Sequence, residues 1–134
     1  MNKNNVTFIL HRPQLSENIG ACARGIKNFG FNKLVLIEPK PLFPNDKIIA
    51  TSVGAKDIIK KTKVYDNLEN IIDQIDILIA TSARIRNKNI KHIELKDLKK
   101  NPLQKKGWIL IWLRGIRLIK EGKNLHKLYF KYFN

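Results

Sequence analysis

The stretch from Val6 to Ile37 constrains the fold most. Val6 to Leu10 (VTFIL) is apolar enough for a buried strand, and Ser16 caps a helix that runs to about Phe29. Gly30 is placed as the C′ stop, and Lys33 to Ile37 (KLVLI) forms a second strand closed by Pro39 and Pro41. A strand–helix–strand unit of about thirty residues is the usual parallel crossover. Beyond it, Pro44 to Lys61 reads as one or two short helices broken near Gly54. Val64 and Tyr65 make a short strand, Leu68 to Gln74 a helix, and Asp76 to Ala80 (DILIA) a buried strand. Glu94 to Lys100 reads as a short basic helix stopped at Asn101–Pro102, and Trp108 to Trp112 as a further strand. Strands alternating with helices predict an α/β fold with a mainly parallel sheet flanked by helices.

A chain of 134 residues suits one domain with a core of its own. Its single cysteine, Cys22, excludes an internal disulfide, and no Cys/His cluster offers a zinc site, so no metal is expected. That suits a reducing cytoplasm. No signal peptide is visible in the polar start Met1 to Asn5. The longest apolar runs, Ile75 to Ala80 and Trp108 to Leu113, are strand-length and cannot span a bilayer. Lys and Arg total 26 against 11 Asp and Glu, a net charge of +15. A codon bias toward Lys and Asn inflates such a count without any binding role. The excess is nonetheless the electrostatic footprint of a polyanion binder, and RNA is the expected partner.

Two constellations carry chemistry. In His11 to Gly30 (HRPQLSENIGACARGIKNFG), Asn18 lies in the first turn of the helix and Arg24 nearly two turns on, on roughly similar sides. Gly20 lets the backbone approach something closely, and Ala21, Cys22 and Ala23 allow tight packing. An Arg near the carboxyl edge of a parallel sheet can hold a phosphate or ribose oxygen. In Ala80 to Arg86 (ATSARIR), a buried strand runs into Thr81 and Ser82, then Arg84 and Arg86, at the same edge. On pattern alone these segments are an anion site, or else a capped, solvated helix with a surface Arg and a soluble turn.

The run LHRPQLSENIGACARGIKNFGFNKLVLIEP closely resembles the first motif of the SpoU/TrmH family of RNA ribose 2′-O-methyltransferases, in the branch that acts on tRNA. The resemblance continues through PNDKIIATSVGAKDII and VYDNLENIIDQIDILIATSARIR, covering roughly residues 5 to 87. It implies a knotted domain of the SPOUT class, a homodimer, and S-adenosylmethionine as methyl donor. By the same resemblance Asn18 and Arg24 are catalytic, Thr81 and Ser82 lie beside the cofactor, and Arg12, Arg84 and Arg86 contact RNA. For Arg24 the implied part is charge stabilisation, since a guanidinium is locked as a cation and makes a poor base.

After Arg86 the family pattern requires a Phe-Gly-x-Glu-x-x-Gly-Leu loop and then a Ser-Leu-Asn segment, and neither is present. Residues 1–107 therefore read as the N-terminal portion of the methyltransferase domain and 108–134 as an aberrant basic tail. The tail is expected to add at most one strand and a basic helix, without a knot. A frameshift accounts for it. Ile111 to Leu118 can be encoded ATT TGG CTC AGA GGG ATT CGG CTT, which one nucleotide later reads Phe-Gly-Ser-Glu-Gly-Phe-Gly-Leu. Gln104, Lys105 and Lys106 permit a run of adenines prone to slippage. Nucleotide sequencing from Gln104 onward is expected to find an open frame encoding both missing motifs. A closed frame there would make the tail a true divergence.

Overall fold

The computed structural model describes residues 3–75, 77–80, 109–112 and 117–119. A 3-10 turn at Lys3–Asn5 leads into β1 (Val6–His11), followed by α1 (Ser16–Asn28) and β2 (Leu34–Ile37). Two short helices, α2 (Asp46–Thr51) and α3 (Lys56–Lys61), precede β3 (Lys63–Tyr65). They are separated at Gly54, whose φ is +78°. Then come α4 (Glu69–Ile72), β4 (Ile77–Ala80), β5 (Ile109–Trp112) and β6 (Arg117–Ile119). The strand order is β3-β2-β1-β5-β4-β6. Every neighbouring pair is parallel except β4–β6. The α/β class and the mainly parallel sheet stand as the sequence implied.

Strand side chains alternate between the two faces, and each face holds a core. Ile9 and Ile37 pack with Leu68, Ile71, Ile72, Ile75 and Leu78 under α4. Leu34 and Leu36 pack on the other face with Ile19, Ala23, Ile26, Ile48, Ile58 and Ile59, beneath α1, α2 and α3. The end of α1 is a Schellman closure built on Gly30, at φ +75°. Gly30 N–H donates to Lys27 O at 2.8 Å and Phe31 N–H to Ile26 O at 2.9 Å.

Three expectations need correction. Ser16 is the first helical residue of α1, not its cap, and Leu15 in the cap position makes no side-chain bond. Ser16 is 9% exposed, and its hydroxyl accepts from Asn45 Nδ2 at 2.9 Å. Asn45 also caps α2, its Oδ1 accepting from Ile48 N–H at 2.9 Å, so one amide ties the starts of both helices together. The helix expected over Leu68–Gln74 is a single turn, Glu69–Ile72. The tail contributes two strands rather than at most one. β5 is inserted between β1 and β4, and β6 pairs with β4. A basic helix at Glu94–Lys100, a helix in the tail and the knot all fall outside the described residues.

Gly20 has a packing reason. A Cβ added there would overlap Thr51 Oγ1 and stand 2.8 Å from the backbone oxygen of Ile48. What the bare backbone of α1 approaches is α2. Alanine at an ordinary helical glycine gains up to about 1 kcal/mol. Gly20→Ala should instead lower stability by about 1–3 kcal/mol through overpacking, read as a lower urea midpoint at unchanged slope. A raised midpoint would show that α2 yields.

Candidate functional site at the carboxyl edge of the sheet

Strand order grows from β1 outward to β3 on one side and resumes beyond β5 with β4 on the other. Open α/β sheets bind ligands beyond the carboxyl ends of their strands, at such a reversal. The register brings the ends of several strands to one place. His11 is level with Ile37, and Trp112 is level with both Ile9 and Ala80. Thr81 and Ser82 follow Ala80 directly in the chain. They, with Arg84 and Arg86, lie outside the described residues.

β1 and β2 end alike. The next residues, Arg12 and Glu38, both have left-handed backbones, with φ of +51° and +46°. Each precedes a proline, Pro13 and Pro39, a setting that ordinarily pushes a residue to extended conformations. Both are therefore strained, and the surroundings hold them. Arg12 N–H donates to Ile37 O at 2.8 Å, Glu38 N–H to Tyr65 O at 2.9 Å, and Lys40 N–H to Pro13 O at 3.0 Å. Arg12 Nε donates to Glu38 Oε2 at 2.6 Å, and His11 Nε2 stands 3.8 Å from Glu38 Oε1. The Arg12 hydrogen bond holds the Glu38 carboxyl below the usual carboxylate range. Burial lowers the His11 pKa, helped by the Arg12 charge and opposed by Glu38.

α1 starts beside this edge. Asn18 and Arg24 are both exposed, while Ile19, Gly20, Ala23 and Ile26 form its buried face. At about 100° per residue the six-residue offset puts them about 120° apart, on the two flanks of the exposed surface. They do not lie on similar sides, as the spacing was first read. Burial pushes the Cys22 thiol up to about 11, which disfavours its thiolate.

A cavity of about 410 Å³ lies at the opposite edge, where Thr7, Leu34 and Lys63 begin their strands. It is remote from the residues singled out in the sequence. Among the described residues no group of His, Cys, Asp and Glu could hold a metal ion. Nor is any described helix long and apolar enough to cross a membrane.

A mainly parallel sheet with an order reversal, an Asn and an Arg on the first crossover helix, and an arginine at the strand ends define an α/β protein with polar and basic groups gathered near the carboxyl edge. The chain belongs to the SpoU rRNA Methylase family, whose model matches residues 5–111. It is 30% identical over 126 residues to an uncharacterized tRNA/rRNA methyltransferase of Haemophilus influenzae, covering 94% of this chain and 52% of that one. It is 33% identical over 105 residues to the tRNA (cytidine-2′-O-)-methyltransferase TrmJ of Methanocaldococcus jannaschii, covering 76% and 45%. The solved structure of a probable methylase family protein from Haemophilus influenzae superposes with a TM-score of 0.74 at 31% identity, over 84% of this chain and 46% of that one. The chain thus spans about half the length of these curated relatives.

Sequence reading passed over Glu38 and His11. A carboxylate after an apolar strand carries no signal until the neighbouring strand's end is known. The one available hint was the repeated residue–proline step after both strands, Arg12–Pro13 and Glu38–Pro39.

The lowered His11 pKa has a definite sign. Below pH 6.5 the unfolded chain binds a proton that the folded chain resists, so stability falls as pH drops through 6.5 toward the folded value. Glu17, Glu38 and Asp57, all held low by cationic partners, lose their contribution in a separate window, below their ordinary values of 4.5 and 3.8. Urea midpoints should therefore fall between pH 7.5 and 5.5 in the wild type. The fall should be shallower in His11→Gln, and equal slopes would contradict this assignment.

Proposed function

We propose that this chain carries the RNA-facing part of a methyltransferase that transfers the methyl group of S-adenosylmethionine to a ribose 2′-hydroxyl, in tRNA. The observation that carries the proposal is the SpoU family match over residues 5–111, together with the placement of Asn18 and Arg24 on the helix beside the carboxyl edge. The M. jannaschii relative is named for this reaction on tRNA cytidine, which supports the substrate class. In this reading Arg24 stabilises charge at the reacting ribose and phosphate, and Asn18 orients the substrate. Arg12, Arg84 and Arg86 hold the RNA backbone, as a +15 chain would favour. Thr81 and Ser82 are the cofactor-side residues, and two copies of the chain form the working unit.

The polypeptide of these 134 residues is itself proposed to be inactive or nearly so. Its sequence contains no Phe-Gly-x-Glu loop to offer backbone groups to the cofactor. A few hydroxyl hydrogen bonds contribute about 0.5–1.5 kcal/mol each, whereas micromolar affinity requires about 8 kcal/mol net of association costs. The second reading, a non-catalytic RNA-binding remnant, rests on that same missing loop and on the charge. Isothermal titration separates the two. S-adenosylmethionine is expected to show no micromolar binding to the purified chain. Transfer RNA is expected to bind with an affinity that falls steeply as salt rises. Salt-insensitive binding would contradict the RNA reading, and methylation of tRNA would refute inactivity. Any turnover found should drop by about 10²–10³ in Arg24→Ala.

A further inference from the structure

The carboxylate at Glu38 is out of place on simple electrostatic grounds. A surface that binds a polyanion gains nothing from an acid beside its arginine. Yet Glu38 and Arg12 follow paired residues of adjacent strands, Ile37 and His11, with matching left-handed backbones. Three backbone hydrogen bonds tie this pair of strand ends to each other and to β3. The backbone thus sets the two residues side by side, and their side chains, 61% and 33% exposed, meet at the surface of the edge. Such an exposed pair contributes little stability, so its consequence lies in where it holds the guanidinium.

We infer that Glu38 is a positioning residue, holding the Arg12 guanidinium at the carboxyl edge of the sheet to receive an RNA phosphate. The 2.6 Å contact engages Nε, one of five N–H donors on a rigid planar group. Fixing Nε fixes the plane of the fork while its positive charge stays on the group. His11 Nε2 stands on the carboxylate's other side, 3.8 Å from Oε1. His11 has a side chain only 10% exposed and sits in the last position of β1, so it backs the pair from within the fold. A planar fork presented in one orientation suits a phosphate, whose oxygens it can meet in pairs. The inference rests on the reading of this edge as an RNA-binding surface.

The sign of one substitution tests it. Removing a negative charge from a polyanion-binding face should tighten binding if charge alone matters. If Glu38 positions Arg12, Glu38→Ala should weaken it. The measurement is fluorescence anisotropy with labelled tRNA across a salt series, on the full 134-residue chain. Arg12→Ala is expected to weaken binding severalfold and lower the log–log salt slope by about 1, the effect of one lost phosphate contact. Glu38→Ala is expected to match it in both respects, and the double variant to be no worse than Arg12→Ala. Glu38→Gln keeps an oxygen that can accept from Nε, so it should retain most of the affinity. It also carries the test if the alanine variant fails to fold, because its binding must then not exceed wild type. Glu38→Ala or Glu38→Gln binding more tightly than wild type overturns the inference. So does an unchanged slope in Glu38→Ala alongside a reduced one in Arg12→Ala. A wild-type chain whose tRNA binding ignores salt defeats the RNA reading itself, and the inference falls with it. An Arg12→Ala chain that binds like wild type defeats only the assignment of Arg12.

Discussion

The close approach of α1 to α2 at Gly20 governs where the chemistry-bearing side chains stand. α1 has exposed residues on both flanks, and its roll about its own axis decides which of them face the strand ends. Three contacts set that roll. The bare backbone at Gly20 lies against Thr51 and Ile48. Ile19, Ala23 and Ile26 pack into the core shared with β2 and α3. Asn45 bonds both the Ser16 hydroxyl and the first turn of α2. The first contact uses absent atoms, the second apolar burial, the third polar geometry. Because they differ in kind, rotating the helix to satisfy one would break the others. Among the described residues nothing bonds the side chains of Asn18 and Arg24, and it is this scaffold that places them.

Charge is arranged with the same economy. The chain carries +15, so its few acids decide which cations are tethered. Glu17 pairs with Lys47 at 2.7 Å and Asp57 with Lys27 at 2.5 Å, and both pairs join α1 to the helices beside it. These pairs are exposed and contribute little stability individually. Their consequence is directional, because they take up lysines on the helical layer. At the strand ends the acid partner is instead drawn into the backbone turn itself, where it meets an arginine. The carboxyl edge is the place where backbone strain, a largely buried histidine and a paired guanidinium coincide.

Local chemistry was legible in the sequence, and partners across the fold were not. Gly30 could be read as a helix stop because a left-handed C′ residue follows from the end of a helix alone. The strands at 6–11, 34–37 and 109–112 could be read because each is apolar on both faces, as a strand inside a parallel sheet must be. Gly20 was recognised as a site of close approach, but the sequence has no means of naming Thr51 as what approaches. Ser16 looked like a cap because serine before a helix commonly caps. Its hydroxyl was instead claimed by Asn45, twenty-nine residues away. Asn18 and Arg24 were singled out correctly as exposed residues on one helix but misjudged in angle, since six residues is neither one turn nor two. Glu38 was invisible for the reason that makes it useful, its partner being fixed by strand register.

The place of β5 bears on how the tail arose. Ile109–Trp112 pairs in parallel with β1 on one side and β4 on the other, so both edges of the strand are hydrogen-bonded within the sheet. Such a position demands an uninterrupted apolar run, and ILIW supplies one. Out-of-frame codons have no reason to meet that demand at that point. The family model also matches through residue 111. Both observations are what an in-frame chain through Ile111 would give. On the frameshift expectation, the codons of Ile111 and Trp112, where the shifted reading first yields Phe-Gly, fit these observations better than the adenine run at Gln104–Lys106. Arg117–Ile119, on the far side of that point, pairs antiparallel with β4 in a sheet otherwise wholly parallel. An open strand edge will pair with almost any extended apolar segment within reach. β6 needs no ancestry as a strand, only the free edge of β4 and three residues able to lie along it.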